Sequence, residues 1–215
     1  MKTKTTQHSP AIYSINFNYQ ENAPWNIGKP QPGLIKLFDR HPLEGTILDI
    51  GCGAGDLAMA IASRGFRTLG IDLSEKAIEI CKNKANALKP EIKGSLDFHC
   101  GDALKPSQLN RQFGSIVDSG FYHLFNESTR NELVDELFKS LTGGGRYYLL
   151  GFAIDSPIPH APRQVTQDEI KSRFGRENGW SILSLESAEF ITTFSSPRDR
   201  IPATCACMEK AAVPA

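Results

Sequence analysis

Residues 46–56, Thr-Ile-Leu-Asp-Ile-Gly-Cys-Gly-Ala-Gly-Asp, constrain this chain more than any other stretch. Thr46 to Ile50 is a short β-branched and aliphatic run, which predicts a buried strand. Three glycines follow within five residues, Gly51, Gly53 and Gly55. From Asp56 the pattern turns helical, with Leu57, Ile61 and Arg64 at i, i+4, i+7. A strand, a glycine turn and a helix make the front half of a nucleotide-binding βαβ unit. The glycines are needed because the backbone must turn sharply and approach a ligand where a Cβ would obstruct it.

The 215 residues suffice for one α/β domain with a full core and not for two. The expected division is a flexible arm over residues 1–21 and a single domain over 22–215. Basic and acidic side chains balance at 24 each. Phosphate binding rests on a basic excess, so the balance argues against a nucleic-acid or anionic-membrane partner. No apolar run approaches the roughly 20 residues of a membrane span. The lysines near the N-terminus precede no apolar segment, so no secretory signal is expected. The five cysteines, Cys52, Cys81, Cys100, Cys205 and Cys207, are odd in number and scattered. They read as free thiols in a reducing cytoplasm, with no metal site.

Along the chain, prolines and glycines between Asn22 and Gly33 forbid a regular element, yet the segment carries Trp25. Trp25 either pins the arm to the core or closes over a ligand beside the glycine turn. Leu34 to Asp39 predicts a short helix. Arg67 to Ile71 is the second strand, ending at Asp72, about 20 residues past the first glycine, where such folds place an acid on a ribose. Ser74 caps the next helix. Ser95 to Cys100 is the third strand, followed by Asp102, which can accept from an adenine amine. Phe113 to Val117 is the fourth, ending at Asp118. Asn126 to Leu141 is a helix with Leu133, Leu137 and Leu141 on one face. Gly143 to Gly145 reads as its stop and turn, and Arg146 to Phe152 as the fifth strand. A proline-rich loop, 154–165, precedes a short helix from Thr166 to Phe174, with Glu169 at the capping-box position. Trp180 to Thr193 and Ile201 to Glu209 predict an antiparallel pair.

Ile47 to Leu57, the run Gly70-Ile-Asp-Leu-Ser-Glu-Lys-Ala-Ile-Glu79 and Gly101-Asp-Ala-Leu104 stand in the order and at the intervals of class I S-adenosylmethionine-dependent methyltransferases, which the chain resembles from about residue 22 onward. The resemblance implies a Rossmann-like α/β fold, a seven-stranded sheet closed by a C-terminal antiparallel hairpin. It implies S-adenosylmethionine as cofactor. Asp49 would be among its contacts, Gly51, Gly53 and Gly55 would lie at its methionine part, Asp72 at the ribose, Leu73 against the adenine, and Asp102 and Ala103 at the adenine edge. Asp118 would stand near the amino acid end or be structural. The segments around Pro24-Trp25-Asn26-Ile27, Ser119 to Phe125 and Pro159 to Val165 are similar to the thiopurine, thiol and halide methyltransferases and to tellurite-resistance methyltransferases. In that branch the tryptophan packs over the cofactor.

Methyl transfer from a sulfonium is an in-line displacement by a donor that is already activated, so the protein mainly aligns the nucleophile and excludes water. A neutral alcohol or amine would also need a base. The candidates are His123, with Tyr122 beside it. Trp25, Phe121, His123, Phe152, His160 and Arg163 are the candidate acceptor contacts, with Arg163 able to steer an anion. The expected reaction is methylation of a small-molecule thiol or other soft nucleophile. O- or N-methylation of a quinol, phenol or heteroaromatic is the alternative, and a macromolecular substrate is disfavoured by the charge balance.

Overall fold

The computed structural model describes residues 23–88, 92, 94–154 and 162–212. Helix α1 (Pro32–Arg40) precedes β1 (Ile47–Ile50), α2 (Asp56–Ser63), β2 (Thr68–Asp72), α3 (Glu75–Ala87), β3 (Leu96–Cys100) and β4 (Phe113–Ser119). A 3-10 turn (Tyr122–Leu124) leads into α4 (Glu127–Ser140) and β5 (Leu141–Phe152), and α5 (Gln167–Arg173), β6 (Trp180–Ile191) and β7 (Arg200–Lys210) complete the order. The strands form one seven-stranded sheet in the order β3-β2-β1-β4-β5-β7-β6, the Rossmann-like methyltransferase arrangement. β1 to β5 run parallel to one another, and β7 runs antiparallel to both β5 and β6. The expected hairpin is therefore present, with β7 inserted between β5 and β6.

Side-chain alternation sends successive residues to opposite faces of the sheet. Leu48, Ile50, Ile116, Tyr147 and Leu149 pack with Leu133 and Leu137 of α4, Ile170 of α5 and Trp180. Ile47, Val117, Tyr148, Leu150, Cys205 and Cys207 pack with Leu34, Leu37 and Phe38 of α1 and Leu57 and Ile61 of α2. Local chemistry fixes the helix starts. Ser74 Oγ accepts from the Ala77 N–H, Asn126 Oδ1 from the Thr129 N–H and Thr166 Oγ1 from the Glu169 N–H.

Gly143 to Gly145 depart from expectation. They sit inside β5, where the register jumps from Phe113 opposite Leu141 to Ser115 opposite Arg146. The extra residues bulge, with Gly144 at φ +77°, and a glycine absorbs such a bulge where another residue would end the strand.

The sequence order of strands reverses between β1 and β4, which is where an open α/β sheet leaves a crevice at its strand ends. The arm from Ala23 to Gln31 is fastened across that crevice by Ile191, the last residue of β6, and by Thr193 just beyond it. The Thr193 N–H donates to Pro24 O at 2.8 Å. The Gln31 amide pairs with Ile191 as a strand would, donating to its carbonyl at 2.9 Å and accepting from its N–H at 2.8 Å. Among the described residues no helix is long and apolar enough to cross a membrane. All five cysteines are unpaired.

Candidate active site

A cavity of about 770 Å³ opens at the strand-order reversal. Its floor is the glycine turn. Gly51, Gly53 and Gly55 have φ of +61°, +52° and +78°, a left-handed backbone that side chains resist. A Cβ at Gly51 would run into the Phe121 ring, and one at Gly55 would lie 2.8 Å from Cys81 Sγ.

Asp72 joins this turn to the end of β2. Its Oδ2 accepts from the Gly53 N–H and its Oδ1 from the Ser74 N–H, both at 2.9 Å. Each carboxylate oxygen keeps acceptor capacity for a ligand. Burial raises the Asp72 pKa, against the pull of these N–H donors. Leu73 is half-exposed on the cavity wall. On the same wall, Asp102 Oδ1 takes the Leu104 N–H at 3.0 Å, beside the buried Ala103.

Asp49 also reaches the cavity and is otherwise buried. Its Oδ2 has no hydrogen-bond partner among the described residues. Burial, reinforced by the nearby Asp118 carboxylate, pushes its pKa well above the usual range. A buried carboxylate in this condition calls for a cation or donor supplied from the cavity.

The opposite end of the cavity is aromatic. Trp25 stands at its lip, 39% exposed, with Phe121, Phe125, Phe152 and Phe190 further in. His123 lies among them. Its ring meets Phe152 edge-on at 4.5 Å between centroids, and its Nδ1 accepts from the Phe152 N–H at 3.2 Å. Burial, with a lesser contribution from Arg130, pushes its pKa down to about 3.

Three expected site residues are placed elsewhere. Tyr122 is fully buried beneath the cavity wall, and its hydroxyl donates to Glu169 Oε1 at 2.9 Å. Burial raises its pKa further, so it is not positioned to take a proton from an acceptor. Arg163 borders a second surface depression beside Arg130 and Glu169, while its neighbour Pro162 faces the first cavity. The Arg163 main chain is what holds to the site, its N–H donating to His123 O at 2.8 Å. Asp118 is sealed inside. It accepts from the Phe121 N–H at 2.8 Å, the Tyr122 N–H at 3.0 Å and the Tyr147 hydroxyl at 2.8 Å, so it shapes the turn that carries Phe121 and His123. His160 lies outside the described residues.

Burial raises the Asp118 pKa from 3.8 to about 6 despite its three donors. The folded state then holds this proton more tightly than the unfolded chain. Its contribution to stability is full below pH 3.8 and is lost as pH rises through about 6, a change of about 3 kcal/mol. Urea unfolding of wild type and Asp118→Asn across this range is expected to show the wild-type stability falling relative to the variant, then levelling. A constant difference would contradict the assignment.

Two residues that sequence patterns did not single out also shape the site. Gln31 carries no motif signal. Arg130 does carry one, since it lies three residues before Leu133 on what is otherwise the apolar face of α4. It donates to both oxygens of Glu169, at 3.0 and 2.8 Å, and to Gln164 O at 3.0 Å. It also donates to the carbonyls of Tyr122 at 3.3 Å and Arg163 at 3.3 Å. It thus ties the His123 turn to the segment of Arg163 and Gln164.

Residues 47–145 match the family model described as a methyltransferase domain. With the sheet described above, that match makes the chain an S-adenosylmethionine-dependent methyltransferase. The methyltransferase is 29% identical over 167 residues to the 2-heptyl-1-hydroxyquinolin-4(1H)-one methyltransferase of Mycobacteroides abscessus, a match spanning 77% of this chain and 71% of that one. It is 31% identical over 151 residues to probable thiol methyltransferase 2 of Arabidopsis thaliana, spanning 68% of this chain and 64% of the relative. A solved structure described as the conversion of a disulfide bond into a thioacetal group during echinomycin biosynthesis superposes with a TM-score of 0.75 at 24% identity, covering 94% of this chain and 87% of that one. This last match is a likeness of fold. The cofactor of the methyltransferase is S-adenosylmethionine.

Proposed function

We propose that the methyltransferase acts on a small, flat acceptor whose nucleophilic atom is a thiol or another soft, readily ionised group. The single observation that carries this reading is the division of the cavity, polar and acidic around the glycine turn and aromatic around His123. The polar half suits the cofactor. Asp49, which lines the cavity, offers its carboxyl group to the methionine ammonium, Asp72 offers both oxygens to the ribose hydroxyls, and Leu73, Asp102 and Ala103 stand where an adenine would lie. When bound, S-adenosylmethionine supplies an electrophilic methyl group on a positively charged sulfur. The chain's own contribution is to hold the acceptor in line and exclude water. Trp25, held over the lip by the Pro24 and Gln31 contacts, serves the second task. Phe121, Phe152 and Phe190 serve the first by stacking on a planar acceptor.

The thiol reading agrees with the Arabidopsis relative, and with a Tyr122 hydroxyl that is turned to Glu169 rather than to the cavity. A second reading, O-methylation of a hydroxylated heteroaromatic, is favoured by the four phenylalanines on the acceptor wall and by the Mycobacteroides relative. Both keep the same site. A panel of thiophenols, alkyl thiols, thiopurines, phenols, quinols and 1-hydroxyquinolin-4-ones, read by S-adenosylhomocysteine release, separates them. Aromatic thiols or hydroxyquinolones are expected to lead, with neutral alcohols and aliphatic amines inert. Turnover confined to aliphatic amines would sink both readings.

A further inference from the structure

We infer that His123 serves this site as a fixed hydrogen-bond donor through Nε2, selecting acceptors that arrive already ionised, and that it is not a general base. The inference rests on the methyltransferase reading and narrows its substrate class.

A neutral imidazole has one nitrogen with a proton and one with a lone pair. The Phe152 N–H, 3.2 Å from Nδ1, can only be accepted by a lone pair. The ring proton therefore sits on Nε2. That nitrogen has no hydrogen-bond partner among the described residues and is not one of the sealed, unpartnered atoms, while His123 lines the cavity. Space is kept open beside it by Gly120, whose added Cβ would come within 3.2 Å of Nε2. The ring cannot readily swing to exchange its nitrogens. Phe152 packs on it at 4.5 Å, Phe190 lies at 6.0 Å, and the Phe152 N–H holds Nδ1 at 3.2 Å.

A base at this place would have to become imidazolium. That would place an Nδ1–H against the Phe152 N–H and a second positive charge beside Arg130, whose own charge bears on the ring. The burial that depresses its pKa acts in the same direction. The donor has a different use. An Nε2–H aimed at a thiolate or aryloxide lowers the acceptor's pKa in the site and orients its lone pair. The proton has then already left to solvent. The acceptor's pair forms the new bond to the methyl carbon, the sulfonium's S–C pair stays on sulfur, and no proton crosses the enzyme.

Two experiments test this. The first needs no acceptor, so its outcome is independent of the substrate reading. Protein labelled with ¹⁵N-histidine and saturated with S-adenosylhomocysteine is examined by long-range ¹H–¹⁵N correlation between pH 5 and 8. Nε2 is expected protonated and Nδ1 unprotonated throughout. An Nδ1–H tautomer, or an imidazolium forming within that range, would overturn the inference. The second compares His123→Gln with His123→Ala on thiophenol. Glutamine offers both an acceptor for the Phe152 N–H and a donor for the cavity. Alanine is expected to raise KM about 10- to 100-fold, with kcat little changed, and glutamine to restore most of it. Equal collapse of kcat in both variants, with folding intact, would point to a base instead.

Discussion

Replacing Asp72 with alanine is expected to weaken S-adenosylmethionine binding by about 100- to 1000-fold, the loss of two charge-assisted hydrogen bonds at about 1.5 kcal/mol or more each. The size follows from where the carboxylate sits. Asp72 closes β2 and accepts the N–H groups of Gly53 and Ser74, one on each oxygen. It both fixes the glycine turn against the neighbouring strand and presents a diol-sized pair of acceptors to the cavity. Removing it frees the Gly53 N–H as well as the ribose contacts. Asp72→Asn keeps the volume but turns one acceptor into a donor facing an N–H, so about a tenfold to hundredfold loss is expected. Calorimetric titration of each variant, beside a thermal melt that confirms folding, checks this. A well-folded Asp72→Ala protein that binds within fivefold of wild type would contradict the ribose assignment.

The second large effect is on stability. Arg130→Met is expected to cost about 3–5 kcal/mol, measured as the shift in urea unfolding free energy. The guanidinium is 5% exposed, paired with Glu169, and serves the carbonyls of Tyr122, Arg163 and Gln164. Taking it away strands those acceptors together with Oε2 of the half-buried Glu169 carboxylate, whose only protein donor it is among the described residues, while Oε1 keeps Arg173 at 3.0 Å and the Tyr122 hydroxyl. Methionine matches the packing over the Tyr122 ring, where the guanidinium lies 4.7 Å from the centroid, so the loss is electrostatic rather than a cavity. The double variant Arg130→Met/Glu169→Gln is expected to recover part of it, because the stranded charge is gone. If the double variant is no more stable than the single, the carboxylate was not the source of the cost.

These two residues show what the sequence discloses and what it withholds. Asp72 is legible because its role is local: an acid at the end of a strand, a fixed distance past a glycine turn, with Ser74 left to cap the helix. The same locality makes the strand and helix order readable, along with the caps at Ser74, Asn126 and Thr166. Arg130 is hard to read because its partners come from residues 122–123, 163–164 and 169, which only the fold brings together. Its presence on the leucine face of α4 is the available signal. Glu169 illustrates the same limit. Spacing places it in a capping box, and Thr166 does take its N–H, but its carboxylate turns to Arg130 and Arg173. Gly143 to Gly145 carry every mark of a turn, yet pairing with β4 at Leu141 before them and at Arg146 after them keeps them within β5. His123 is legible as a site residue from its place after β4. Its direction of hydrogen bonding is not, because that depends on the main chain of Phe152, 29 residues away.

The most direct test of the central claim is isothermal titration of the wild-type protein with S-adenosylmethionine and S-adenosylhomocysteine, without acceptor. The glycine turn, the unpartnered Asp49 oxygen and the doubly anchored Asp72 predict saturable one-to-one binding of both, lost in Asp72→Ala. Absence of heat and of any stabilisation at high concentrations of either ligand, in protein shown to be folded, would contradict it.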